Sequence, residues 1–137
     1  MTMYKEIFDA IVDMVKQNTS YPVYVGSNPT KESIAVAGFS TADTTFLDRD
    51  TAQTYDITIN GKSGDQQALL AELSQLHRKL TLRKRFPHAE KWQITSIDTT
   101  ASPRLIGVEE AERTRFIYGS SMTVKFYALG MKGELET

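Results

Sequence analysis

The sequence predicts an α+β domain: a largely antiparallel, mixed sheet of about five strands with two helices packed on one face. Three observations predict it. Two stretches carry apolar residues at helical spacing, five others carry strand signals, and their order is helix, three strands, helix, two strands rather than regular strand–helix alternation. At 137 residues the chain is one domain by size, 1–137, and a fold of that length buries roughly two-thirds of its unfolded surface.

Tyr4, Ile7, Phe8, Ile11, Met14 and Val15 recur at three- and four-residue spacings, with Lys5, Glu6, Asp9, Asp13 and Lys16 on the other side. Met3 to Asn18 therefore reads as an amphipathic helix, ended by Asn18-Thr19-Ser20. Tyr21 to Gly26 is a short strand entered through Pro22, and proline cannot donate to a ladder, which puts this strand at an edge or a strand start. Ser33 to Phe39 is a second strand of smaller residues. Ser40 to Gln53 is polar and reads as a first long loop exposing Phe46 and Leu47. Thr54 to Asn60 alternates Tyr55, Ile57 and Ile59 with polar residues, the pattern of a half-buried strand.

Asn60 to Asp65 has turn chemistry, and Ser63 with Gln66 can form a capping box for the second helix, with Asp65 as the competing cap. Leu69, Leu73, Leu76 and Leu80 give that helix its buried stripe, helped by Ala68 and Leu70, and Pro87 stops it. Trp92 to Thr95 starts a fourth strand. Phe116, Tyr118, Met122, Val124 and Phe126 mark the last one. Between them Thr99 to Thr114 reads as a second long loop, and loops beyond about 12–15 residues are uncommon unless functional or disordered. A domain of this size has a diameter of roughly 35–40 Å, against about 43 Å for an extended Arg115–Tyr127. Either Gly119-Ser120-Ser121 forms a bulge, or one end of the strand projects beyond the core.

The absence of cysteine excludes disulfides, thiolate nucleophiles and cysteine-ligated metals, and fits a reducing compartment. Only His77 and His88 can act as imidazole ligands or bases, and no metal-site spacing surrounds them. A net charge of −1 gives the whole molecule no field to attract nucleic acid or a membrane. No apolar run approaches the roughly 18–20 residues of a membrane span, and Glu6, Asp9 and Asp13 stand where a signal peptide would be apolar. A soluble protein retained where it is made is expected.

Gly61-Lys62-Ser63 suggests a phosphate loop, but Asp56 stands where the earlier glycine is required, so a strand-to-helix turn is the better account. Arg78, Lys79, Arg83, Lys84, Arg85 and Lys91 form a basic segment opposed by Glu90 alone. Cations favour a helix C-terminus, which explains most of them; an acidic protein partner or a phosphate backbone are the alternatives. Glu109, Glu110 and Glu112 followed by Arg113 and Arg115 fit a solvated or inter-subunit charged surface rather than a catalytic pair, which needs an enclosed site. Asp43, Asp48, Asp50 and Asp56 lack the glycine and terminal glutamate of a calcium loop. No cofactor, no metal and no catalytic residue is expected. The predicted contact residues are Phe46, Leu47, Asp48 and Asp50 in the first loop and Arg104, Leu105, Ile106 and Arg113 in the second, pairing between adjacent chains.

Tyr21-Pro22-Val23-Tyr24-Val25-Gly26 after a first helix, Tyr55 to Lys62 before the second, and Trp92-Gln93-Ile94 leading to Pro103-Arg104-Leu105-Ile106-Gly107 and a long closing strand form a linear pattern. It resembles the small minor-capsid and tail-terminator proteins of long-tailed phages and prophages, over nearly the whole chain. The resemblance implies a structural, non-enzymatic subunit that forms a ring, typically hexameric, on the head-proximal end of the tail tube. Its partners would be further copies of itself, the tube protein and a head completion protein. DNA would pass the ring without sequence-specific binding, and the protein would reside in the virion neck after assembly in the host cytoplasm. A minor-capsid protein of the connector, or a small accessory nucleic-acid-binding domain, are the alternatives. Charge asymmetry adds one expectation: the acidic Ser40–Gln53 stretch meets the basic Arg78–Lys91 segment across adjacent subunits.

Overall fold

The computed structural model describes residues 2–29, 31–42, 51–90, 92–110 and 113–128. The elements are α1 (Thr2–Gln17), β1 (Val23–Val25), β2 (Ser33–Ala42), β3 (Thr51–Ser63), α2 (Gln66–Thr81), β4 (Trp92–Glu110) and β5 (Thr114–Ala128). The five strands form one sheet in the order β1-β2-β3-β5-β4. β1 runs parallel to β2, and every other pairing is antiparallel, so the sheet is mixed and the fold is α+β. Pro22 precedes a three-residue edge strand, as its missing donor requires.

Both helices bury one stripe against the same side of the sheet. Ile7, Ile11, Met14 and Val15 of α1 and Leu69, Leu73, Leu76 and Leu80 of α2 join Ile57, Ile59, Ile94, Ile97, Met122, Val124 and Phe126 in one core. Ala68 and Leu70 lie outside the stripe and are exposed. α2 packs closely over Gly61, where a β-carbon would sit 2.5 Å from Leu69 Cδ1. Asp65 is the helix N-cap, accepting from the Ala68 amide at 3.0 Å, and Gln66 is turned instead toward the Tyr118 hydroxyl. Among the bonds that anchor the helices, Trp92 Nε1 donates to Glu6 Oε1 at 2.9 Å, and Thr19 Oγ1, just past the end of α1, donates to Glu72 of α2.

The opposite side of the sheet is polar. Thr123 donates to Asp56 at 2.7 Å, Thr100 and Ser121 share a bond of 2.9 Å, and Lys125 lies 3.8 Å from Asp98.

The stretch Thr99–Thr114 is a correction to the sequence reading. It is no loop: all but its last few residues extend β4, which pairs with β5 up to Glu110 opposite Thr114. β4 spends 19 residues against the 15 of β5, and four register shifts, at 94/96, 99/101, 101/104 and 105/107, absorb the excess. Each shift inverts the inward–outward alternation, so the two-residue period is lost although the strand persists. Pro103 is tolerated because β4 is an edge strand. Of the two alternatives for the last strand, the bulge at Gly119-Ser120-Ser121 gives way. β5 pairs with β3 from Phe116 opposite Ser63 to Ala128 opposite Thr51 without a shift, and the bulges belong to β4. The first predicted loop is shorter than Ser40–Gln53, because β2 continues to Ala42 and β3 begins at Thr51.

Leu73 is fully buried between helix and sheet. Leu73→Ala should cost about 2–5 kcal/mol through lost transfer energy and the cavity left behind, read as a lower urea midpoint with unchanged slope.

Candidate functional site

Three places hold the polar chemistry of the described residues. The first is His77, which interrupts the leucine stripe of α2 and is 5% exposed. Its Nδ1 lies 2.7 Å from Thr99 Oγ1 on β4 and its Nε2 lies 2.8 Å from Ser120 Oγ on β5. Ser120 Oγ donates to the Ile59 carbonyl of β3 at 2.6 Å, so its lone pairs receive the Nε2 proton and Thr99 donates to Nδ1. The serine proton is already committed to a backbone carbonyl, and the imidazole is therefore not placed as its base. The chain of bonds instead links α2 to three strands. Burial holds the imidazole below its ordinary pKa, favouring the neutral ring that this pattern needs.

The second place is the hairpin end of the sheet. Lys62 is 4% exposed, and its ammonium donates to Glu109 Oε2 at 2.9 Å and to the Pro29 carbonyl at 2.8 Å. Gly61, Lys62 and Ser63 continue β3 rather than forming the expected turn, and the lysine is consumed by an internal pair. Glu109 and Arg115 stand directly opposite each other across the hairpin, and Arg115 is 7% exposed. Neither belongs to a fully solvated charged surface, contrary to the sequence reading. Arg115 Nε and Nη1 and Glu109 Oε1 are buried without a hydrogen-bond partner. Glu32 closes this end by accepting from Ser63 Oγ and the Gly64 amide at 3.0 and 3.1 Å.

The third place is the outer surface made by the end of α2 and the edge strand β4. Arg78, Lys79, Lys84 and Arg85 are exposed and Arg83 is half-buried. Among the described residues no carboxylate pairs with any of them; Arg83 Nε donates to the Arg85 carbonyl at 2.7 Å. Two clefts flank this helix end. One of about 760 Å³ is lined by Asn18, Gln75, Arg78, Lys79, Leu82 and Arg83. The other, about 570 Å³, shares Gln75, Arg78 and Leu82 and reaches β4 at Thr99. Leu82 is 65% exposed at their common wall.

The predicted contact residues divide accordingly. Leu105 and Ile106 are about half exposed on β4, beside an equally exposed Val108 that the sequence reading passed over. Arg104 shares their strand and is exposed. Arg113 lies in the hairpin turn, 3.8 Å from Glu32 of its own chain, which is a different partner from the Asp48 or Asp50 expected for it. Phe46, Leu47, Asp48 and Asp50 lie outside the described residues. Among the described residues no three His, Asp or Glu side chains converge as a metal site requires, and no helix is long and apolar enough to cross a membrane. His77, Lys62 and Arg115 were missed as buried groups because strand register, invisible in the sequence, brings their partners together.

The chain matches no family model and no curated protein.

Two outcomes are expected. The unfolded chain takes up a proton at His77 through the ordinary imidazole range near pH 6.5 while the folded chain resists it. Stability from this site is thus complete above that range and declines as pH falls through it. The melting temperature should drop between pH 7.5 and 5, and His77→Gln should flatten that drop; an unchanged slope assigns it to other groups. Glu109→Gln leaves the buried Lys62 ammonium without its counter-charge and should destabilise by about 3 kcal/mol, the low end for a broken buried pair because Glu109 is partly hydrated. Chemical denaturation measures it.

Proposed function

We propose that this chain is a structural, non-enzymatic subunit of long-tailed phages or prophages. It forms a ring at the head-proximal end of the tail tube, stops tube growth and joins tail to head. The order α1-β1-β2-β3-α2-β4-β5 is in keeping with the linear pattern on which the resemblance rests. One observation carries the reading: a long edge strand presents Leu105, Ile106 and Val108 close together, each 47–52% exposed, on a chain whose buried polar groups serve the packing of its own elements. Exposed apolar side chains this close along one edge strand fit contact with another protein better than catalysis.

In this reading the partners are further copies of the chain, in a hexameric ring, the tube protein below and a head completion protein above. The ring works in the virion neck after assembly in the bacterial cytoplasm, and DNA passes it without sequence-specific recognition. A minor-capsid protein of the same connector would use the same surfaces. The accessory nucleic-acid-binding reading rests on the five cations at the end of α2, yet neither flanking cleft is lined by an aromatic side chain on which bases could stack.

Native mass measurement and negative-stain imaging, alone and with tail tubes, test this reading. Closed rings capping tube ends are expected, weakened when Leu105 and Ile106 are both changed to Ser. A chain that stays monomeric at every concentration and ignores tubes sinks the proposal, as does sequence-selective DNA binding.

A further inference from the structure

We propose that the guanidinium of Arg115, at the hairpin end of the sheet, is a receiving site for a carboxylate from outside the chain. The inference goes beyond the assembly reading and does not depend on it.

Arg115 is the exception among the buried polar groups. Lys62 has Glu109 and the Pro29 carbonyl, and His77 has Thr99 and Ser120. Arg115 is only 7% exposed, yet among the described residues no carboxylate lies within ion-pairing distance of it. Glu109, directly opposite, does not fill the role: its Oε2 is held by Lys62 and its Oε1 makes no bond. A buried lysine or histidine can relieve such a position by losing its proton, and an arginine cannot. A negative group that reaches this guanidinium therefore gains more than it would beside an arginine in solvent.

The surroundings fix the charge of the ligand. Lys62 stands opposite Ile117, two residues along β5 from Arg115, so Lys62, Arg115 and Glu109 face the same side of the sheet. Glu32 closes the same end through Ser63 and Gly64 and lies 3.8 Å from Arg113. Three cations, Lys62, Arg113 and Arg115, thus meet two carboxylates, Glu32 and Glu109, leaving one positive charge over. A monoanion balances the group, whereas a phosphate dianion would overshoot and face both carboxylates.

The nitrogens fix its shape. Nε and Nη1 are the enclosed ones, which leaves Nη2 as the atom a ligand meets first. Nη2 belongs to both forks of a planar guanidinium, with Nε along its side and with Nη1 along its end. A planar acid with two oxygens that docks on Nη2 can take a second N–H on either edge. Chloride, a single round centre, has no such match.

The test follows the Arg115 Nε–Hε signal of the ¹⁵N-labelled full-length chain by NMR while sodium acetate replaces sodium chloride at constant ionic strength. A saturable movement with acetate is expected, together with a melting temperature that rises to a plateau. Both should be lost in Arg115→Met and kept in Arg104→Gln. Should Arg115→Met not fold, Arg115→Lys, which keeps a charge but lacks the fork, should weaken the acetate response. A signal indifferent to acetate, or moved equally by chloride, overturns the inference, as does phosphate binding more tightly than acetate. A signal displaced by Glu112→Gln before any acetate is added would mean that the chain's own carboxylate fills the site, and overturns it too.

Discussion

The leucine stripe of α2 must lie against three strands that are distant in sequence, and the missing side chain at Gly61 lets the helix come close enough to do so. From that contact the helix crosses toward β4, with His77 bonded to Thr99 on β4 and to Ser120 on β5, and Ser120 bonded in turn to β3. The apolar stripe supplies the gain from burial. The imidazole supplies direction, because a ring with two nitrogens satisfied by hydroxyls on different strands fits in one orientation. The rest of the surface follows from this seat. It sets where the basic end of α2 emerges, and it leaves the opposite side of the sheet uncovered.

The two helices and the inward faces of β3 and β5 were legible in the sequence because each keeps a single period along its length. Leu69, Leu73, Leu76 and Leu80 repeat at three and four residues, and Tyr118, Met122, Val124 and Phe126 at two and four. The extension of β4 was hidden for the same reason in reverse. Four register shifts within 19 residues scramble the alternation, and Pro103 with Gly107 adds turn-like composition to residues that are paired. The run Gly61-Lys62-Ser63 misled differently: glycine there serves helix packing, not a turn.

The proposed contact surface was partly legible. Leu105 and Ile106 stood out as apolar residues in polar company, and that signal survives the change from loop to strand. The buried pair of Lys62 and Glu109 left no trace in the sequence, since its members are 47 residues apart and meet only through the pairing of β3, β5 and β4. Charge counted along the chain likewise misplaced Arg115, whose neighbours in sequence are exposed or half-buried while it is not.

The irregularity of β4 has a consequence for the fate of newly made chains. A sheet edge with evenly spaced free amides is a template on which identical copies stack without limit, the route to fibres and amorphous deposits. Here the row of groups is broken at four points and lacks a donor at Pro103, so no long run of this edge matches the edge of another copy. Indefinite growth of copies by backbone pairing along this edge is thereby disfavoured.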